Sequence, residues 1–164
     1  MADSSETSPY IIRRATRDDV VAIVRLLADD LLGQQREQFH MPLPETYYTA
    51  FEEIDQTPCH ELVVTEINNK VIGVLQLSFL RYLTFQGGKR AQIEGVRVDQ
   101  RYRSSGVGHR LFVWAIERAR QEQCHLIQLT TNKSRPEALR FYERLGFVAS
   151  HEGLKLDLIS APTT

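Results

Sequence analysis

The chain has little cysteine: Cys59 and Cys124 alone, far apart and in no CxxC pair. That excludes a disulfide scaffold and leads us to expect two ordinary thiols in a cytoplasmic protein. No apolar run approaches the roughly 18 residues of a membrane helix. Met1–Pro9 (MADSSETSP) lacks the basic and apolar regions of a secretion signal, so no membrane partner is expected. Neither sign of charge is in excess. Lys and Arg total 20 against 21 Asp and Glu, a formal charge of -1, whereas a general nucleic-acid binder normally carries a basic surplus. No nucleic-acid partner is therefore expected. The histidines (His40, His60, His109, His125, His151) stand at no metal-ligand spacing and form no HExxH, so no metal is expected. Two phosphate-binding patterns are missing as well: no GxxxxGK[ST] and no GxGxxG occurs.

What is present is the make-up of an ordinary globular domain. Of 164 residues, 42% are hydrophobic and 25% charged, enough to bury one core without covalent staples. Residues 1–9 read as a disordered tail, 10–159 as a single domain and 160–164 as a second tail. A short strand is expected at Tyr10–Ala15. Thr16 is placed to cap a helix with apolar residues at Val20, Ile23, Val24, Leu27 and Leu31, ended by Gly33. A second helix is expected around Glu45–Ile54. His60–Ile67 and Lys70–Leu80 read as a hairpin turned at Asn68-Asn69. Gly87-Gly88 marks another turn before a strand at Ala91–Val98. Helix Val107–Gln121, strand Leu126–Thr131, helix Pro136–Leu145 and strands at Phe147–Ala149 and Leu154–Leu158 complete the order. A right-handed crossover makes the strands flanking helix 107–121 parallel. The fold class is α/β in the broad sense: a mixed, mostly antiparallel sheet flanked by about four helices.

The chemistry concentrates in Ala91–Glu117 (AQIEGVRVDQRYRSSGVGHRLFVWAIE). Ile93 is out of phase with Val96 and Val98, and the slip falls at Glu94-Gly95. A slip at glycine suggests a β-bulge that frees backbone donors; the alternative is that Ile93 packs on the other face of a two-sided sheet. The loop Arg103-Ser104-Ser105-Gly106-Val107-Gly108 then opens an amphipathic helix. Free N–H groups and the dipole at such a helix start favour an anion, and glycine permits close approach.

Arg103-x-x-Gly106-x-Gly108 after a strand resembles the acyl-CoA signature of the GCN5-related N-acetyltransferase (GNAT) superfamily, [QR]-x-x-G-x-[GA]. Ala138-Leu-Arg-Phe-Tyr142-Glu-Arg-Leu-Gly146-Phe147 resembles that family's second motif, A-x-x-x-Y-x-x-x-G-F. The order and separation of the motifs also match, and the similarity extends over nearly the whole chain. The resemblance implies a sheet splayed between its fourth and fifth strands. It also implies direct transfer of acetyl from acetyl-CoA, as co-substrate, to a primary amine.

Cofactor contacts are then expected from Val96, Val98, Arg103, Ser104, Ser105, Gly106, Val107, Gly108, His109 and Tyr142. His109 has the alternative of a plain exposed helix position. Many members carry Asn where this chain has Arg135, so either Arg135 or Asn132 is left to serve there. Glu94 is the expected general base, its pKa raised by burial in a cleft, or else a structural partner of an arginine. Tyr142 is the expected proton donor to the leaving thiolate, or else a core tyrosine packed with Phe141 and Leu145. A backbone N–H near Val96 or Val98 would hold the oxyanion.

The acceptor side of this fold corresponds to Leu31–Tyr48 and Ala149–Lys155, with Asp29, Asp30, Glu37 and Glu45 available to an amine or else merely solvated. The loop between Leu80 and Arg90 is either a mobile lid or the edge of a homodimer contact. A small-molecule acceptor is favoured over a protein lysine or N-terminus. A non-catalytic acetyl-CoA sensor is the competing reading.

Overall fold

Asp19 organises the start of the chain's first helical region. Its carboxylate accepts from the Thr16 backbone N–H at 2.8 Å and the Thr16 hydroxyl at 3.0 Å. Arg13 approaches it with two donors, at 2.7 and 2.9 Å. Thr16 thus stands at the expected boundary, but its hydroxyl donates to Asp19. The computed structural model describes residues 10–158, so the tails expected at 1–9 and 160–164, and residue 159, lie outside the described residues. The chain divides after Leu129 into two compact units.

The first unit runs β1 (Ile11–Arg14), α1 (Val20–Leu27), α2 (Leu31–Arg36), α3 (Glu45–Gln56), β2 (His60–Ile67), β3 (Lys70–Arg81), α4 (Thr84–Gly87), β4 (Lys89–Val98), α5 (Val107–Gln121) and β5 (Leu126–Leu129). The five strands form one sheet in sequence order. The first three pairings are antiparallel and β4–β5 is parallel, as the crossover rule requires.

One face of the sheet is covered by α1 and α3, whose Val20, Ile23, Val24 and Phe51 pack on Val64, Val71 and Val74. Val107, Leu111, Phe112 and Ala115 of α5 are buried with Val63, Leu75, Leu77, Ala91 and Ile93. A cavity of about 150 Å³ lies between α1 and α3, walled by Val24, Leu27, Phe51, Ile54, Leu62 and Gln76.

Two local expectations are corrected in this unit. Gly33 does not end the first helix. The helix stops at Leu27, and Asp30 caps a new one by accepting from the Gly33 N–H at 2.7 Å. Gly33 is required because a Cβ there would meet the Leu27 carbonyl oxygen at 2.0 Å. The β3–β4 connection is not a simple glycine turn. Phe85 and Gln86 both take left-handed angles (φ 52° and 56°) within α4.

The second unit holds α6 (Pro136–Arg144) and, among the described residues, no strand. The strands expected at 147–149 and 154–158 are not formed, and Val148, Leu154, Leu156 and Leu158 are exposed. Alternation states which face a strand would bury, but it does not supply the partner whose backbone groups complete the ladder.

Candidate active site

The deciding irregularity is in β4. Val74 pairs with Arg97 and Gln76 with Glu94, so β4 spends one residue more than β3 over the same span. This is the expected bulge. Gly95 sits in it at φ +63°, a conformation glycine adopts without strain. Ile93 lies opposite Leu77 and Val98 opposite Gly73, so the slip returns both to the face covered by α5. The β4–β5 ladder ends at Ile93–Leu129. From Glu94 to Val98, no strand pairs with that side of β4 among the described residues, and this is the splay between the fourth and fifth strands.

Glu94 stands where the ladder ends, but it is exposed, not buried in a cleft as expected. Its carboxylate accepts from the Gln92 amide at 3.0 Å, and Gln92 in turn accepts from Gln128 at 2.7 Å. Cross-strand register adds Gln76 opposite Glu94 and Ser78 opposite Gln92. His60 Nδ1 bonds to the Ser78 hydroxyl at 2.8 Å. These side chains make a polar row on the face that α1 and α3 cover elsewhere with apolar residues. The row is missing from the sequence-based expectations. Its signal was present as Gln76-x-Ser78 and Gln92-x-Glu94, polar residues in phase within otherwise apolar strands.

Past Val98 the chain turns at Asp99. The carboxylate of Asp99 is buried and bound by Arg101 at 2.6 and 3.0 Å, with Arg25 at 3.5 Å. The Arg101 hydrogen bonds hold this carboxyl well below the usual carboxylate range, against the opposing effect of burial. The turn leads into Arg103–Gly106. Gly106 precedes α5 at φ +89°, where a Cβ would meet nothing within 4 Å. No side chain caps the helix and no acidic residue stands in its first turn. Ser104 and Ser105 are exposed, and the Ser105 hydroxyl donates to the Tyr102 carbonyl at 2.6 Å. Val107 is buried in the core, Gly108 is half-buried and His109 is exposed. Uncapped N–H groups, open space at a glycine and no competing carboxylate in the first turn suit the diphosphate of a CoA thioester.

Arg103 is held rather than free. Its Nε donates to the Val98 carbonyl at 3.2 Å, and its guanidinium lies 3.7 Å from the Asp29 carboxylate. The other acidic residues expected to hold an amine are also engaged. Asp30 caps Gly33 and lies 3.7 Å from Arg97, Glu37 pairs with Arg36 at 2.7 Å, and Glu45 lies 3.7 Å from Arg17.

In the second unit, Asn132 Oδ1 accepts from the Ser134 N–H at 2.9 Å. Arg135 precedes α6 and Pro136 takes the first helical position, where its missing N–H is harmless. The Tyr142 ring makes edge contacts with Phe141 and Phe147, at 5.6 and 6.1 Å between centroids. Gly146, at φ +92°, and Phe147 close the helix through bonds to the Glu143 and Tyr142 carbonyls. The Gly-Phe end of the second motif is therefore a helix terminator. Among the described residues no group of His, Cys, Asp and Glu could hold a metal ion, and no helix is long and apolar enough to cross a membrane.

The model of the acetyltransferase (GNAT) family matches residues 21–147, which include both motifs and the bulged strand. The chain belongs to that family. It is an acetyl-CoA-dependent N-acetyltransferase by descent, with the family's open mixed sheet. An aminoalkylphosphonate N-acetyltransferase of Salmonella typhimurium is 27% identical over 146 residues, covering 85% of this chain and 86% of that protein. A glucosamine 6-phosphate N-acetyltransferase of Trypanosoma brucei brucei is 33% identical over 89 residues, 54% of this chain and 58% of its own length. Among solved structures, a transcriptional regulator from Bacillus halodurans superposes with a TM-score of 0.88 at 53% identity, covering 90% of this chain and 99% of that one.

Proposed function

We propose that this acetyltransferase moves the acetyl group of acetyl-CoA directly to the primary amine of a small molecule in the cytoplasm. The observation that carries the reading is the continuity of the bulge at Gly95 with the uncapped start of α5 at Gly106. One segment thus supplies unpaired strand backbone for a thioester and helix N–H groups for a diphosphate. Val96 and Val98 line the acyl arm of the donor in this reading, and an N–H of that stretch holds the oxyanion. Arg103 to His109 take the diphosphate. Arg135, or the Asn132 amide, is assigned to the donor by its place before α6.

Glu94 is assigned the proton of the amine. A lysine-like amine has a pKa of about 10.4 and reacts only when neutral, so a route for its proton is required. An exposed carboxylate does this through water. Tyr142 is assigned the proton returned to the CoA thiolate, on the strength of the motif it occupies. The two curated relatives named above are both named for small amine acceptors, which supports a small molecule over a protein.

A second reading has one observation in its favour: the Bacillus halodurans relative is named a transcriptional regulator. On that reading acetyl-CoA is sensed and not consumed. Release of free CoA from acetyl-CoA across a panel of amines separates the two. Amine-dependent release supports transfer. Tight acetyl-CoA binding with no release from any amine supports the sensor.

A further inference from the structure

Arg90 stands on the same strand and the same face as the proposed base. On β4, Arg90, Gln92 and Glu94 lie opposite Leu80, Ser78 and Gln76 of β3. Successive members of such a row stand about 7 Å apart along an extended strand. The row therefore reads cation, amide, carboxylate. Its centre is fixed, because the Gln92 amide bridges Gln128 and Glu94.

The environment of Arg90 is unlike that of its neighbours. Lys89 is neutralised by Glu122 at 2.8 Å, and Arg97 lies 3.7 Å from Asp30. The Arg90 guanidinium instead lies over two aromatic rings, 5.1 Å from the Tyr82 centroid and 5.0 Å from that of Phe85. Its Nε is buried and has no hydrogen-bond partner among the described residues. With that donor unpaired, the guanidinium is held by its contact with the rings and by no hydrogen bond to the protein among the described residues, which leaves its terminal N–H groups to a ligand.

The Phe85 ring is held in place at a cost in backbone conformation. Phe85 has φ 52°, and its ring stacks on His125 with centroids 4.8 Å apart. Gly88 leaves room for that histidine, since a Cβ there would meet His125 Nδ1 at 2.6 Å. The left-handed backbone at Phe85 is thus tied to the placement of its ring against His125 and the Arg90 guanidinium.

We propose that Arg90 selects the acceptor by binding an anionic group, a carboxylate, phosphonate or phosphate, carried by the acceptor several bonds from its amine. The inference rests on the acetyl-transfer reading above. The amine lies at the Glu94 end of the row and the anion at the Arg90 end, so opposite charges at the two ends orient a zwitterionic molecule. The aromatic faces of Tyr82 and Phe85 hold the guanidinium plane while leaving its terminal N–H groups for a two-point contact with the anion.

The test uses matched pairs of amines with and without the anion: 3-aminopropylphosphonate against propylamine, and glucosamine 6-phosphate against glucosamine. kcat/KM is measured on the full chain, and acetyl-CoA affinity is measured by titration. The expected result is a preference of about 10- to 100-fold for the anionic member of at least one pair. Arg90→Gln is expected to abolish that preference, and Arg90→Lys to keep part of it, with acetyl-CoA affinity unchanged in both. Acetylation of the neutral amines with no preference for their anionic partners overturns the inference and leaves the proposed function standing. So does a loss of acetyl-CoA affinity in Arg90→Gln at an unchanged ratio, which would put Arg90 on the donor. Acetyl-CoA binding with no transfer to any amine overturns the proposed function and this inference with it.

Discussion

Arg103 and Asp29 face each other at 3.7 Å, joining the loop before α5 to the end of α1 across 74 positions of sequence. The arginine assigned to an anionic cofactor is thus partly neutralised before any cofactor arrives. An ion pair this exposed is weak, and a diphosphate carries more charge than a carboxylate. Asp29→Asn is accordingly expected to tighten acetyl-CoA binding by about 2- to 5-fold. Calorimetric titration at low and moderate salt checks it, and the gain should shrink as salt screens the site. Unchanged affinity at low salt would remove Arg103 from the cofactor site.

Gly106 tests the same site from the backbone. The space around it is open, so a larger side chain is opposed by the left-handed angle of +89° alone. Gly106→Val is expected to lower acetyl-CoA affinity by about tenfold or more, and Gly106→Asn by much less, because Asn tolerates that region. Equal losses in the two variants would point to side-chain bulk and against backbone conformation.

Tyr142 and Glu94 are expected to separate in their pH behaviour. Tyr142→Phe should lower kcat with little change in acetyl-CoA affinity. Glu94→Gln should lower kcat/KM by about 10²-fold near neutrality. That deficit should narrow as the pH rises and the amine supplies its own neutral form. A pH–rate profile for each variant is the measurement. A Glu94→Gln deficit that is constant with pH would mark a structural role.

Asp19 and Asp99 predict how the fold answers acid. Both carboxyls are held below the usual carboxylate range. For Asp19, burial works against the shift, and hydrogen bonds from Arg13 and Thr16 overcome it. For Asp99 the Arg101 hydrogen bonds lead. A carboxyl depressed in the folded state contributes its full stability above its unfolded pKa, and loses it as the pH falls toward the depressed value. Stability should therefore decline as the pH drops below about 4, the ordinary carboxylate range. Asp19→Asn and Asp99→Asn should each flatten that decline while lowering stability at neutral pH. Chemical denaturation at a series of pH values checks the slope.

The sequence carried the parts of this fold that repeat or break a local pattern. The Asn68-Asn69 turn is legible because both residues tolerate left-handed angles, and they adopt φ 48° and 60°. The bulge is legible because Gly95 sits where the apolar phase slips. Gly33 misled because a glycine near a helix end usually terminates it, whereas here it follows a cap and clears the Leu27 carbonyl. Leu154, Leu156 and Leu158 misled because alternation cannot report whether an edge is available. At the candidate site, the glycine-containing loop that opens α5 could be read from Arg103, Gly106 and Gly108. The Arg103–Asp29 pair and the Gln128–Gln92 bond could not, since each joins segments that the sequence keeps apart, and the aromatic setting of Arg90 could not, since it depends on the left-handed backbone at Phe85.

The bulge at Gly95 also bears on how the protein keeps itself apart from other chains. A sheet that stops pairing partway along an inner strand exposes a run of backbone that could recruit any extended segment. The extra residue at Gly95 breaks the even spacing of β4 at the point where its ladder with β5 ends. A flat strand cannot bond in register across such a step, and bulges are one means by which edges are made poor templates. Removing one residue at Gly95 would restore regular spacing and supply the template that a β-aggregating neighbour needs. The irregularity that accompanies the unpaired stretch of β4 thus also makes it a poor template for strand addition.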